Sequence, residues 1–302
     1  MKGLVSHVLL TLRRLRTREL PGAGWNPVDH RKGVSEMNRM LVRTALASVT
    51  LFGASGARAD SPPTPPPPAI TVTGSAAIVS QYRFRGLAQS DNKPAVQASI
   101  TVSHASGFYV ATWGSSASAG NSPINIGGTE IDVYGGYTHA LGKSGVTVDG
   151  GVYGYIYPGA PLGNYYEIYG SLAKNIGPAT AKAGVNFAPR QKVFNYNFTS
   201  PTHHNVYVYG ELGTTIPGTA IILHSHLGHT GGGFDWGKPY FDYVAGADYK
   251  YKALTFDLSL VGTDVSRSDI NRGFACAGAP ACIEPFHRMS KTVLVGSVTA
   301  NF

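Results

Sequence analysis

Charge is scarce in this chain: Asp, Glu, Lys and Arg make up 14% of its 302 residues, against about 25% in an ordinary soluble domain. Beyond residue 60 the sequence also has no run of about 18 apolar residues, which excludes a membrane-anchoring helix there. What it has instead is 38 Gly and 17 Tyr, against 12 Phe. This composition favours a β-rich protein that does not face water on all sides.

The formal net charge of +8 does not indicate a nucleic-acid partner. Residues 1–59 contain ten Lys/Arg and three Asp/Glu, whereas the remainder contains fifteen and fourteen. The basic excess therefore belongs to the first part of the chain, and the rest is nearly neutral. We expect no nucleic acid among the partners.

The first part ends in the pattern of a secretory signal, "MNRMLVRTALASVTLFGASGARAD". It has a basic region, a short apolar stretch and an A-x-A cleavage site. The alternatives are a core helix or a membrane anchor, but the apolar stretch is too short to cross a bilayer. We predict that 1–59 is a signal peptide cleaved after Ala59, with a start codon assigned too early upstream. Residues 60–69 then form a proline-rich linker, and 70–302 form one domain.

The chain has only two cysteines, Cys276 and Cys282, in "CAGAPAC". In an exported protein this spacing predicts one disulfide that closes a small loop. The alternative, a two-thiolate metal site, has no further ligands nearby in the sequence.

After residue 70 the sequence repeats one pattern, in which segments of about ten residues alternate apolar with polar or small side chains and are separated by turn residues. We predict twelve strands, with ten or fourteen as alternatives, at 70–84, 94–104, 108–116, 128–138, 146–157, 165–174, 179–188, 205–214, 220–228, 240–249, 254–263 and 290–302.

The connections between these segments alternate between short turns and longer loops. Sorting of loops by length is typical of an outer-membrane barrel, with short turns at one end and long loops at the other. A soluble β-sandwich also has many short strands, but it does not require this sorting. The sequence therefore predicts an all-β protein, an antiparallel up-and-down transmembrane β-barrel of about twelve strands.

In these segments the charged side chains point to the side opposite the apolar ones. Lipid on the outer face requires this arrangement, because a charge on that face costs about 2–4 kcal/mol at mid-membrane. A half-buried soluble sheet would alternate in the same way, but its polar face would tolerate Lys and Arg freely, and acids predominate here. We therefore predict a set of pore-lining residues: Arg83, Glu130, Asp132, Asp149, Glu167, Lys182, Glu211, Asp242, Asp248 and Asp257.

Twelve strands about 4.8 Å apart and tilted near 40° give a backbone radius of roughly 12 Å. Inward tyrosines would narrow this space to a small pore or ligand tunnel. The excess of acids motivates the hypothesis that the pore prefers cations.

The stretch "YRFRGLAQSDNKPAVQ", followed by "SGFYVATWGSS", resembles the TorF family of porin-like Gram-negative outer-membrane proteins. "EIDVYGGY", "YGYIYPG", "YYEIYG" and "GVNFAP" continue the similarity, which covers roughly 75–190. The resemblance implies an outer-membrane porin-like barrel and supplies no substrate. The C-terminal Phe302 also resembles the sorting signal read by the barrel-assembly machinery, which would then be a partner along with outer-membrane lipid.

Two further groups could carry function. The first is a charged group predicted at the mouth of the pore, where it would filter a solute: Arg85, Asp91 and Lys93. The alternative is that an Arg–Asp pair among them holds a hairpin that folds back. His224 and His226 face the same side of one strand and are weak candidates for a metal site, because no carboxylate or cysteine accompanies them locally. We predict neither a resident metal nor any other cofactor.

We predict a porin-like channel through which small hydrophilic solutes diffuse, and no enzyme. One alternative is a non-conducting structural or adhesive barrel whose loops bind partners. A less favoured one is a barrel lipid hydrolase, which needs a Ser–His pair on one side of the wall. Ser225 has lipid-facing parity while its histidine neighbours face the lumen.

Overall fold

The computed structural model describes residues 68–118, 126–196, 204–235, 238–272 and 280–302, without the side chains at 195–196, 271–272 and 280–282. The predicted signal peptide and most of the linker lie outside these residues. No helix in the described ranges is long and apolar enough to cross a membrane.

Alternating segments form long strands because every second side chain faces the same side. The strands are β1 Ile70–Val79, β2 Arg83–Phe84, β3 Leu87–Ala88, β4 Ala95–His104, β5 Phe108–Ser116, β6 Thr129–Ala140, β7 Val146–Ile156, β8 Tyr165–Ile176, β9 Ala179–Ala188, β10 Asn205–Thr215, β11 Ile221–Gly232, β12 Tyr240–Tyr251, β13 Leu254–Thr263 and β14 Val293–Asn301. The helices are α1 Val193–Tyr196, α2 Arg267–Arg272 and α3 Pro280–Ser290, and a 3₁₀ turn spans Pro161–Gly163.

Twelve of these strands close into one antiparallel barrel in the order β1-β14-β13-β12-β11-β10-β9-β8-β7-β6-β5-β4. Neighbours in the chain are neighbours in the sheet, and β1 completes the ring by pairing with both β14 and β4. The predicted fold, an all-β up-and-down barrel of twelve strands, is confirmed. Closure leaves no strand of the barrel with an unpaired edge, so the backbone N–H and C=O groups are hydrogen-bonded between strands, as a sheet in hydrocarbon requires.

The outer face of the barrel is apolar, with large side chains such as Ile78, Leu172 and Leu258 exposed by more than half of their area. Exposed aromatic residues lie near both strand ends. Tyr166, Phe187 and Phe241 stand at the long-loop end, and Phe108, Tyr137, Tyr249, Tyr251, Phe256 and Phe302 at the short-turn end. An apolar band between two aromatic belts is typical of a barrel that spans an outer membrane.

Two of the predicted strands are too long. The first, predicted as 70–84, ends at Val79, and the last, predicted as 290–302, begins at Val293 because α3 extends to Ser290. The aromatic alternation of Tyr82 and Phe84 continues the strand pattern in the sequence. In the structure these residues leave the wall and pack inside the barrel.

The long-loop end of the barrel is filled by a hydrophobic cluster, here called the cap. Its buried members come from the long loops and the strand ends beside them: Leu87, Ala117, Ile126, Tyr155, Tyr157, Ala160, Tyr165, Ala188, Val193, Phe194, Tyr240, Val265, Ile270, Ile283 and Phe286. These loops therefore form a packed core over one mouth of the barrel.

Candidate functional site

The segment between β1 and β4, residues 80–94, folds into the barrel and is here called the inserted segment. β2 and β3 form a hairpin in it, with Arg83 paired to Ala88 and Phe84 to Leu87. The two residues of its turn, Arg85 and Gly86, have φ of 47° and 77°, as the tight turns that suit a twisted hairpin require. A Cβ at Gly86 would lie 2.6 Å from the Gly262 carbonyl oxygen of β13, so only glycine fits against the wall there.

Arg85 crosses the lumen from this turn and pairs with Glu167 on β8, a strand on the far side of the ring from β1. Its Nη2 donates to Glu167 Oε1 at 2.9 Å and Oε2 at 2.6 Å. The side chains are 5% and 0% exposed. Glu167 also accepts hydrogen bonds from the Tyr155 hydroxyl at 3.1 Å and from Asn186 Nδ2 at 3.0 Å. This buried carboxylate is therefore paired and hydrogen-bonded, as a buried charge must be.

Aromatic rings enclose the same guanidinium. It lies 4.0 Å above the centroid of the Tyr207 ring and 4.7 Å from that of Phe84. Phe84 in turn meets Tyr155 edge to face at 5.5 Å. The rings and Glu167 together hold the tip of the hairpin in the middle of the barrel. Arg85, predicted at the pore mouth, thus extends across the lumen to the opposite wall near the long-loop end of β8, and its role in filtering a solute stays a prediction.

Arg83 does not lie on the barrel wall, where it was predicted among the pore-lining residues, because β1 has already ended. Its Nη1 donates to the carbonyl oxygens of Gly86 and Met289, each at 2.8 Å, and of Lys291 at 2.9 Å. Burial lowers the pKa of this guanidinium to about 10, so Arg83 remains a cation at neutral pH. It ties the inserted segment to the end of α3.

Glu130 of β6 holds the base of the inserted segment, and its neighbour Asp132 bonds a tyrosine of β7. The Tyr82 hydroxyl donates to Glu130 Oε2 at 3.0 Å, and the Tyr153 hydroxyl donates to Asp132 Oδ2 at 2.9 Å. Glu130 is 1% and Asp132 3% exposed. Both acids face inward, as predicted, but the inserted segment and the tyrosines cover them.

Asp91 and Lys93 remain at the long-loop end. Asp91 is 8% exposed and forms an ion pair with Arg288 of α3. Lys93 Nζ lies 3.1 Å from Asp91 Oδ2, with 70% of its side chain exposed. The Arg–Asp pair at this segment thus uses an arginine from α3, which is distant in the sequence, and not one within the hairpin.

The short-turn half of the lumen has a different lining. Seven inward residues of β7 and β9–β13 form the charged lining: Asp149, Lys182, Glu211, His224, His226, Asp248 and Asp257. Lys182 Nζ lies 3.7 Å from Glu211 Oε2, and these side chains are 13% and 21% exposed. Asp149 Oδ1 accepts a hydrogen bond from the Tyr109 hydroxyl at 2.9 Å. Water therefore reaches charged groups inside this half of the barrel.

Each lumenal histidine lies between two carboxylates that come from other strands. His226 Nδ1 is 3.4 Å from Glu211 Oε1, and its Nε2 is 3.2 Å from Asp242 Oδ1. His224 Nδ1 is 3.5 Å from Asp248 Oδ2, and its Nε2 is 3.4 Å from Asp257 Oδ2. Carboxylates do accompany both histidines, and sequence reasoning missed this because the acids come from other strands. The strand order and register would have revealed it.

The remaining predicted positions are at the edge of the structure or beyond it. Phe302 is 75% exposed, and its backbone exchanges hydrogen bonds of 2.8 and 3.0 Å with Gly74 of β1. Its role as a sorting signal stays a prediction. The predicted disulfide between Cys276 and Cys282 lies outside the residues whose side chains are described.

Several solved outer-membrane barrels resemble this fold. A KdgM porin in complex with disordered oligogalacturonate matches with a TM-score of 0.48 and 10% identity, covering 77% of this chain and 99% of the other. A NanC porin matches with a TM-score of 0.47 and 11% identity over 77% and 99%. The COG4313 outer membrane channel from Pseudomonas putida F1 matches with 0.43 and 9% over 80% and 100%.

No curated protein matches the chain. A family model described as "Bacterial protein of unknown function (Gcw_chp)" matches residues 63–287. The match includes the inserted segment and the strands of the barrel up to β13, which is most of the chain. The TorF name suggested by the sequence motifs is not part of this description. The chain belongs to the Gcw_chp family of bacterial proteins of unknown function.

Proposed function

We propose that this protein is an outer-membrane, porin-like channel for small hydrophilic solutes, with the inserted segment acting as its plug. The observation that carries the proposal is the contrast between the two halves of the lumen. The charged lining is open to water at the short-turn end, while the inserted segment occupies the long-loop half. A water-filled passage with one blocked section is the architecture of a closed channel.

The plug is not needed to close the barrel. Val79 and Ala95, which flank the inserted segment, are direct partners in the β1–β4 ladder. A short turn could join them, as it joins the other neighbouring strands at the opposite end. The segment crosses the lumen instead, and side-chain contacts from Arg83, Arg85 and Tyr82 hold its hairpin. Contacts of this kind can break without opening the barrel wall.

A passive channel agrees with the TorF resemblance and with the absence of a paired nucleophile and base at Ser225. Ser225 is exposed on the outer face, whereas His224 and His226 face the lumen. A hydrolase would need the serine and a histidine on the same side of the barrel wall. Small solutes and outer-membrane lipid are the partners that the proposal requires, and Phe302 would be read by the barrel-assembly machinery.

A second candidate is a barrel that never conducts and serves as a scaffold for its loops. The cap favours it, because fifteen buried side chains from loops and strand ends fill the long-loop end. In that case the inserted segment would be a permanent part of the core, and the water-accessible charges would line a blind chamber.

Planar-bilayer recordings distinguish the two candidates. The test protein replaces residues 82–92 by Gly-Ser-Gly and keeps Ser80, whose backbone and hydroxyl bond Gly296 of β14. We expect the unaltered protein to be mostly closed with brief openings, and the plug-deleted variant to conduct steadily. Lys93→Ala, at an exposed position beside the deletion, is the control and should behave like the unaltered protein.

A plug-deleted barrel that inserts but carries no ion current would show that the cap, which loses only Leu87 in this variant, closes the lumen by itself, and would support the scaffold over the channel. Equal, steady currents from both proteins would show that the inserted segment does not block the lumen. Retention of a compact, heat-modifiable band on gels establishes that each variant is a folded barrel before it is recorded.

A further inference from the structure

His224, Asp248 and Asp257 converge on the lumenal wall near the short-turn end from three successive strands. Asp248 on β12 and Asp257 on β13 are direct partners in register, and both face inward. His224 on β11 faces Gly246, two residues before Asp248. One donor atom from each of the three side chains lies within 4.8 Å of the other two.

The two carboxylates repel each other, and the cationic groups beside them are His224 and Lys250, which follows Asp248 by two residues on β12. Like charges directly opposite each other on one face of a sheet repel and destabilise the pair. Water cannot screen them fully, because the Asp248 side chain is only 4% exposed. Asp248 Oδ2 and His224 Nδ1 lie 3.5 Å apart, and within the described part of the chain neither has a closer hydrogen-bond partner. A buried carboxylate oxygen without a hydrogen bond is costly unless a cation neutralises it.

The wall is shaped to hold these groups. A Cβ at Gly246 would lie 2.1 Å from Ser259 Oγ and 2.6 Å from His224 Nε2, so glycine makes the space that both occupy. The Ser259 hydroxyl donates to Asp257 Oδ2 at 2.7 Å and lies 2.9 Å from His224 Nε2. It orients the carboxylate and the imidazole, as groups beside a metal ligand commonly do.

We propose that this cluster binds a divalent transition-metal ion, with one imidazole nitrogen of His224 and one oxygen each from Asp248 and Asp257 as protein ligands. A set of one imidazole nitrogen and two carboxylate oxygens suits borderline ions such as Zn²⁺ and Co²⁺. Three protein ligands leave further positions for water or for a passing solute. The ion would also relieve the repulsion between the two aspartates.

The neighbouring histidine provides a matched control. His226 also lies between two carboxylates, but the Tyr207 hydroxyl is 2.7 Å from its Nε2. Among the described residues, the His224 set alone brings three His, Cys or acidic donor atoms this close together. His226→Asn therefore removes a lumenal imidazole of the same strand and face without touching the proposed ligands.

Cobalt titration tests the site directly. The untagged full chain is refolded in detergent, treated with chelator and titrated with Co²⁺ while its ligand-field absorption is followed. We expect one Co²⁺ per chain, displaced by Zn²⁺. His224→Asn and Asp257→Asn should each weaken binding by at least about 100-fold, the upper range for partners beyond the direct ligands. His226→Asn should leave the affinity unchanged.

Absence of saturable ligand-field bands would overturn the proposal and leave a protonated His224 as the charge between the aspartates. Binding that survives His224→Asn would overturn it as well, because the ion would then lie elsewhere. Asp248→Asn removes a buried charge with little change in shape and supplies a third variant should another fail to fold. This readout does not depend on ion conduction, so the metal site and the channel can fail separately.

Discussion

At the scale of single residues, the pair of Arg85 and Glu167 is the buried ion pair that holds the tip of the inserted segment inside the lumen. Removing one partner of a buried ion pair leaves an uncompensated charge and typically costs about 3–5 kcal/mol. Glu167 is fully buried, so without Arg85 it would favour a state in which water reaches it. That state requires the hairpin to leave the middle of the lumen.

We therefore expect Arg85→Ala to raise the open probability of the channel in planar bilayers by an order of magnitude or more, since a bias of about 1.4 kcal/mol is already tenfold. The double variant Arg85→Ala, Glu167→Gln removes both charges and should fall between the single variant and the unaltered protein. Lys93→Ala is the control, because its surface ion pair contributes at most about 1 kcal/mol. Unchanged gating in Arg85→Ala would show that the pair does not hold the plug.

The sequence could indicate the side of the wall for most residues but not the contacts between them. Parity correctly places Glu130, Glu167 and Asp242 inside, because alternation is a local property of a strand. It gives no sign that Arg85 reaches Glu167, because that contact joins opposite sides of the ring. The carboxylates around His224 are missed for a related reason, since they depend on strand order and register.

At the scale of the strand, the alternation has a measurable energetic consequence. On β8, Leu172 faces outward with 55% exposure, and Ser171 beside it faces inward. Ser171 also lies directly opposite Asp149 of β7. A lysine on the outer face would meet hydrocarbon, whereas one on the inner face would meet water and an acid.

Leu172→Lys should therefore lower the free energy of unfolding by about 2–4 kcal/mol, while Ser171→Lys should change it by less than about 1 kcal/mol. The measurement is urea-induced unfolding of the protein in phospholipid vesicles, followed by tryptophan fluorescence. Equal losses in the two variants, or a larger loss for Ser171→Lys, would contradict a lipid-facing outer surface.

The first strand is predicted too long because its alternating pattern continues in the sequence after the chain has left the barrel wall. The pattern that runs through Tyr82 and Phe84 is a strand pattern, and these residues do contribute to a short hairpin and its approach. Alternation alone cannot tell whether an aromatic side chain meets lipid or the packed interior of a barrel, because both are apolar. The Arg85-Gly86 turn is the local signal that the chain reverses, and its left-handed backbone becomes visible only in the structure.

At the scale of the whole molecule, the barrel separates an apolar exterior from an interior rich in acids. In the charged lining, four carboxylates face Lys182 and two histidines, and Lys250 adds a further cation beside Asp248 on β12. A narrow lumen with low-dielectric walls concentrates the field of such charges and favours counter-ions of opposite sign. The cation preference inferred from the acids in the sequence stays a prediction, and ion currents test it.

Reversal potentials across a KCl gradient measure this preference in the plug-deleted variant, with chelator present so that bound divalent ions do not change the lumenal charge. We expect a shift toward the potassium equilibrium potential. Adding Asp149→Asn and Glu211→Gln removes two carboxylates from the lining, leaves the proposed metal ligands intact and should move the reversal potential toward zero or beyond. Asp264→Asn, in the long-loop region, should have no such effect because it does not face the charged lining. A reversal potential on the chloride side before any acid is removed would mean that Lys182 and the histidines, and not the carboxylates, dominate the field that a permeating ion meets.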